Sequence, residues 1–449
     1  MSGVSASASA RRPRVLWDVV AEHLDEAAFF WGQRALALRS PDHVLAELEE
    51  GDEGRLRAHL EGLCLAGAPA ASRLLKPALE SDEPHRVAAA AWALLARDDA
   101  DGLQAVLARL REVPESRPGL LWALELGERQ DLDGRLLALC LEAEPDLRAA
   151  LLDVLAFRGV DAGAVLERLS PGEEDPVLLV AALRAARASP PGVAAPWLRQ
   201  GLRDSRPAVQ EAALEAGLVH GSREAWAACQ RFAQTHAAAP RSALLALAMG
   251  GVPADLQRLI ERVADPALRT EALWALGFSG RRAAAEVLLS ALRMHQEPLA
   301  AWAFASITGL PLQAVAPEPE PGGEDEEGGD VAPEPLAGRR TLPAPLPTGA
   351  GRPRVDQVEA WWSQQREQLD SSGRYWHGRP WTVEVLLEAL HEAPLYLRPV
   401  LAWELAIRGR GACRLEPEAW GHLQRRQLRE ARKLRVEPMT RAFGGWMTT

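Results

Sequence analysis

Eight prolines recur at nearly even spacing through the middle of the chain, and each stands at the head of an apolar run. They are Pro84, Pro118, Pro145, Pro176, Pro207, Pro240, Pro266 and Pro298, separated by 34, 27, 31, 31, 33, 26 and 32 residues. Proline lacks the N–H that a helix interior needs. It is tolerated in the first turn, where that donor is unpaired anyway, so a periodic proline before an Ala/Leu run marks a periodic helix start. A period near 30 with two helices per unit predicts an all-α fold: an α-solenoid of about eight helical hairpins over residues 81–310, each burying its apolar face against its neighbours.

The clearest unit runs from Asp265 to Met294. Asp265 is the expected N-cap and Pro266 the opener; Leu268, Ala272, Leu273, Ala275 and Leu276 mark the buried side. Gly277 and Gly280 permit the turn into the return helix RRAAAEVLLSALRM. Asp82, Asp175, Asp204 and Asp265 are read as helix caps and not as catalytic carboxylates, because a side-chain oxygen at a cap accepts an otherwise orphan N–H. The unit resembles the HEAT repeat of the short D-P-x-x-R-x-x-A-x-x-A-L kind. Arg148 and Arg269 lie three places after their prolines and Arg86 two, while Leu179 and Gln210 replace the arginine and are expected to interrupt any ladder. Trp92 and Trp274 fall eight residues after their prolines, Trp122 and Trp302 four; positions four apart share a helix face, and these indoles are read as core filling between Ala-rich helices.

Helical segments flank the repeats. Residues 14–80 carry apolar groups at helical spacing and read as an N-terminal cap. Residues 311–355 are rich in Pro, Glu and Gly with little apolar content, which predicts a disordered acidic linker. Between Pro311 and Leu336 it holds 8 acidic residues and no basic one, against a net charge of −11 for the chain, so the remainder is only mildly acidic. Residues 356–436 read as a helical C-terminal segment. Its DSSGRYWHGRP turn carries Arg374, Tyr375, Trp376 and Arg379, which suit either a partner contact or a plug docked on the solenoid. Its last helix carries Arg425, Arg426 and Arg429. Arginine and aromatic groups dominate interface hot spots, so these seven residues are the candidate partner-binding set.

Several function classes are excluded or disfavoured. There is no HExxH, no phosphate-binding Gly-rich loop before a helix, no GxSxG and no metal-spaced Cys/His set, so no catalytic residue, metal ligand or cofactor is assigned and the chain is read as a non-enzyme. HEAT-like bilin lyases and DNA glycosylases mark the enzymatic alternative. The balance of charge disfavours that glycosylase reading and a nucleic-acid-binding solenoid, since both need a basic groove for phosphates. Cys64, Cys140, Cys229 and Cys413 lie far apart and read as reduced thiols. No apolar run of secretory length precedes Asp18 and no run of 18 apolar residues occurs anywhere, so neither a signal peptide nor a membrane span is expected and the localisation is read as cytoplasmic.

The N-terminal AAFFWGQRALALRSPDHVLAELEEGDEGRLRAHLEGLCLAG, the HEAT-like middle, and GRYWHGRP followed by RPVLAWELAIR together resemble one uncharacterised bacterial family with this three-part layout. Similar families are encoded in type VI secretion clusters. That resemblance implies a protein-binding scaffold or effector-loading accessory whose partner is a secretion spike, adaptor or effector.

Overall fold

The computed structural model describes residues 15–97, 99–172, 175–234, 239–312, 342–345, 354–437 and 440–447. Most of the expected linker lies outside them; Pro311, Leu312, Leu342–Pro345, Arg354 and Val355 lie inside. The chain divides into two compact units. One comprises residues up to Ala37 with Leu48–Leu132, the other Leu38–Glu47 with Asp133 onward.

In the first unit, α1 (Trp17–Ala37) packs against α2 (Asp52–Leu65) and α3 (Pro84–Leu95), and α3 packs in turn on α4 (Ala100–Glu112) and α5 (Arg117–Leu126). A buried ion pair, Arg34 Nε to Glu53 Oε2 at 2.9 Å, joins α1 to α2. Trp122 stacks on His85 at 5.2 Å, and Trp92 Nε1 donates to the Leu126 carbonyl at 3.1 Å. Both indoles fill space between helices.

After α6 (Leu132–Glu142), the second unit is a two-layer stack of repeats. Its inner layer is α7 (Pro145–Arg158), α8 (Pro176–Ala186), α10 (Pro207–Val219), α12 (Arg241–Gly250), α14 (Arg269–Gly277) and α16 (Pro298–Thr308), each packed on the next. Its outer layer is α9 (Pro191–Gly201), α11 (Arg223–Phe232), α13 (Pro253–Glu261) and α15 (Arg282–His295), each wedged against two consecutive inner helices. Neighbour-on-neighbour burial of this kind makes the fold an all-α helical-repeat solenoid. Proline sits in the first turn of α7, α8, α10 and α16, where its missing N–H is harmless.

Three local expectations need correction. First, α14 starts at Arg269, not at Pro266, because Asp265 takes the Ala267 N–H on its side chain (3.0 Å) and the Leu268 N–H on its carbonyl (3.1 Å), holding Pro266 in a turn. Second, of the four expected capping aspartates only Asp175 is the N-cap residue, accepting from Val177 N at 2.9 Å. Asp204 accepts from Arg206 N, two residues on, and the N-cap of α3 is Glu83, not Asp82. Third, Gly280 makes the turn, with φ +65°, while Gly277 stays helical; a Cβ there would lie 2.7 Å from the Trp302 ring, so its smallness lets α14 and α16 approach.

The arginine ladder is interrupted, as its spelling suggests, but one of the replacements keeps the arginine's bond. Arg148 Nε donates to the Cys140 carbonyl (3.1 Å) and Arg269 Nε to Val263 (3.0 Å), each tying a helix start to the end of the preceding helical segment. Gln210 makes the equivalent bond from its amide to the Asp204 carbonyl at 2.7 Å. At Leu179, buried in the core, the position is apolar, as it is at Val87, Leu121, Ala243 and Ala301.

The C-terminal segment belongs to the second unit. It contains α17 (Val355–Gln365), a two-residue antiparallel pair of β1 (Tyr375–Trp376) with β2 (Arg379–Pro380), α18 (Val383–Glu392), α19 (Arg398–Arg408) and α20 (Gly421–Ala431). Its buried side chains, among them Trp362, Trp403 and Phe443, are continuous with the core of the repeats. Among the described residues no helix is long and apolar enough to cross a membrane.

Candidate functional site

Inner helices that run parallel present their last, unpaired carbonyls along one edge, which is also the negative end of every macrodipole. The C-terminal segment lies along that edge and supplies donors to it. His377 N and Gly378 N reach the Ser306 and Ile307 carbonyls of α16 at 2.7 and 2.9 Å. Arg374 reaches Phe278 and Ser279, just past α14, at 2.9 and 3.2 Å. Arg408 Nη2 reaches Met249 of α12 at 3.1 Å, and Trp403 Nε1 reaches Glu215 of α10 at 3.3 Å. Arg414 bridges the ends of α7 and α8 through Gly159 (2.6 Å) and Ala188 (3.2 Å). The segment is therefore a clasp across six repeats.

Its centre is an ion triad. Glu404 is 1% exposed and is held by both Arg374 (Nη2 to Oε2 2.9 Å, with Nη1 on Oε1) and Arg408 (Nε to Oε1 2.8 Å). Arg374 also stacks 4.7 Å over the Trp381 ring and Arg408 4.8 Å over Phe443. Burial pushes the Glu404 carboxyl up, and the two guanidinium groups more than offset it, leaving it below the ordinary carboxylate range. Burial pulls Arg408 down to about 10 against the attraction of Glu404.

These positions reassign part of the candidate partner-binding set. Arg374, Tyr375 and Trp376 are buried: Arg374 in the triad, Trp376 against Trp381 and Phe278, and the Tyr375 hydroxyl accepting from Asp370 N at 2.7 Å. They form the plug, since their donors and rings are turned onto the repeats. Arg379 is exposed and paired with Glu388 at 2.6 Å. Arg425, Arg426 and Arg429 lie exposed on α20, and with Arg374, Tyr375 and Trp376 buried the seven residues do not form one surface. On the same side, burial and then Arg432, Arg398 and Arg425 hold the His391 imidazole below its ordinary value, which marks a cationic neighbourhood.

Between the repeats and the clasp a cavity of about 240 Å³ remains. Its repeat wall includes Arg184, Arg187 and Glu215; its clasp wall includes Trp403 and Arg414. Leu342 also lines it. Arg184 is engaged with Asp153 at 3.3 Å, whose carboxyl burial pushes up against that guanidinium's pull. Glu215 is 6% exposed, and its carboxyl is pushed up to about 7, first by burial and then by Glu211 one turn away, against the pull of Arg187 and Arg184. Glu211 in turn accepts from Ser242 N at 2.7 Å.

Sequence reasoning passed over Glu215, Arg241, Leu342 and Trp403. Two signals were present: a pair of carboxylates at i, i+4 inside an otherwise Ala/Leu helix, and a leucine standing just ahead of alternating prolines in a stretch read as linker. The arrangement can hold a small side chain or chain segment, with an apolar floor and charged walls. No family model and no curated protein matches the chain. Among solved structures it is similar to human deoxyhypusine hydroxylase in complex with glycerol, at 17% identity and a TM-score of 0.21 over 62% of this chain and 94% of that one; at that score the likeness carries no functional weight.

Proposed function

We propose that the chain is a non-catalytic protein-binding scaffold and, following its sequence resemblance, an accessory of type VI secretion or effector loading whose partner is a spike, adaptor or effector protein. The observation that carries the reading is the cleft itself. Its 240 Å³ fall below the about 300–1,000 Å³ typical of small-molecule sites, and a side chain of a docked protein suits it better than a whole metabolite. The exposed arginines of α20 add a polar contact face beside it in the same unit. The test is co-purification of the full chain with type VI spike, adaptor and effector proteins, wild type against the Arg425→Glu, Arg426→Glu, Arg429→Glu triple variant. Capture by wild type and at least a fivefold loss in the variant, with an unchanged helical signal, supports the reading. Normal secretion and killing by a deletion strain removes the secretion role, and turnover of a nucleic acid or tetrapyrrole by the purified chain removes the scaffold itself.

A further inference from the structure

Leu342–Pro345 is a piece of chain with no element of its own. It is neither helix nor strand, yet Leu342 is only 6% exposed and belongs to the apolar cluster of the repeats. Pro343 and Pro345 are half-buried, while Ala344 faces out. Its backbone is held as well: Arg241 Nη1 donates to the Leu342 carbonyl at 3.0 Å. That guanidinium is fixed beforehand, because its Nε and Nη2 grip Glu271 at 3.0 and 2.8 Å. A pre-oriented donor for one carbonyl, and a pocket for the adjoining leucine, is how a groove reads an extended peptide.

The segment has the composition of such a peptide. In Leu342-Pro343-Ala344-Pro345-Leu346-Pro347, proline at every second position fixes φ and removes donors, so the chain is stiff before it binds and loses little entropy on docking. It is also an incomplete ligand. Leu342 occupies one wall of the cavity and leaves the 240 Å³ beside Trp403, Glu215 and Arg187 open. Among the described residues the Arg187 guanidinium makes no hydrogen bond or ion pair, its backbone N–H alone being donated, to the Arg184 carbonyl.

We propose that Leu342–Pro345 is an intrachain ligand, seated in a groove of the repeats that takes an extended Leu-Pro-x-Pro segment of a protein partner, and that such a partner displaces it. This rests on the scaffold reading and names the chemistry of the partner: an apolar side chain ahead of a proline, with its carbonyl turned to Arg241 and a further side chain in the open cavity. Tethering gives the intrachain segment an effective concentration of order millimolar, so it screens out weak competitors.

The probe is a fluorescein-labelled heptapeptide of residues 341–347, TLPAPLP, titrated by anisotropy against the full chain and its Leu342→Asp variant. A carboxylate in the apolar pocket expels the intrachain copy, so the variant is expected to bind the peptide at least tenfold more tightly than wild type. The same peptide with Asp in place of its first leucine is expected not to bind. Equal binding to both proteins, or none to a variant that melts cooperatively, overturns the proposal. If Leu342→Asp fails to fold, Leu342→Ala carries the same comparison with an expected gain of about threefold, and no gain overturns it. Partner capture separates the two readings. A partner held equally by wild type and Leu342→Asp removes the groove assignment alone, while peptide binding with no partner captured by either protein removes the scaffold and leaves the groove.

Discussion

Glu404 shows how a single carboxylate holds two cations in a dry interior. Removing one member of a buried ion group leaves the others uncompensated, which typically costs about 3–5 kcal/mol, far more than the net worth of the pair. Glu404→Gln is therefore expected to destabilise the second unit by about that much, read as a shift in the midpoint of urea unfolding. Because its carboxyl is held below the ordinary range, its contribution is present above the usual carboxylate pKa and is lost as pH falls through the folded value. Glu215 has the opposite sign. Its rise from 4.5 to about 7 means that the folded chain binds more protons than the unfolded one between those values, so stability falls as pH rises through that window. At about 1.36 kcal/mol per pH unit the full effect is about 3 kcal/mol. Thermal melts between pH 5 and pH 8 are expected to lose less stability in Glu215→Gln than in wild type; parallel pH profiles would show that the carboxylate does not titrate in this window.

At the scale of the helix, the repeats were legible wherever a local rule sets the geometry. Proline before an Ala/Leu run placed the starts of α3, α7, α8, α10 and α16, because its constraint acts within one turn and needs no distant partner. Capping was less legible. An aspartate before a proline caps a helix only if its side chain meets the right N–H, and Asp204 and Asp265 spend theirs on turns just ahead. The arginine position was half legible: its periodicity was visible, but the function is donation to a carbonyl, and Gln210 performs it in different chemistry. Replacing Gln210 with Met is expected to cost about 0.5–1.5 kcal/mol and replacing Arg148 with Met about 1.5–3 kcal/mol, since the charged donor makes the stronger bond. Denaturant titrations of the two variants check the order. Equal losses would mean that packing at this position, and not hydrogen bonding, ties the repeats together.

For the whole molecule, the feature that no sequence pattern shows is the clasp. Arg374 meets the Phe278 carbonyl across 96 residues and Arg414 meets Gly159 across 255, and nothing local to either arginine encodes a partner so distant. What the turn's Arg, Tyr and Trp do announce is a need for contact; a surface partner and an internal edge of open carbonyls meet that need equally well, so composition alone left both open. With the edge capped, the C-terminal segment is part of the core of the second unit. A chain ending at Gly309 is expected to melt at lower temperature and to bind a dye for exposed apolar surface, because the inner helix ends and the faces under Trp403 and Phe443 are uncovered. The acidic Pro/Glu stretch offers a sharper test, since its composition predicts that limited proteolysis cuts first between about Ala316 and Gly351, outside the seated Leu342–Pro345. The nicked protein is expected to elute from size exclusion as one species of unchanged size, with its two fragments parting only in denaturant, since the triad, the carbonyl contacts and the shared aromatic core all bridge the cut. Should the C-terminal fragment leave under native conditions, the clasp contacts are too weak to hold the repeats, and Glu404→Gln should then have little effect on stability.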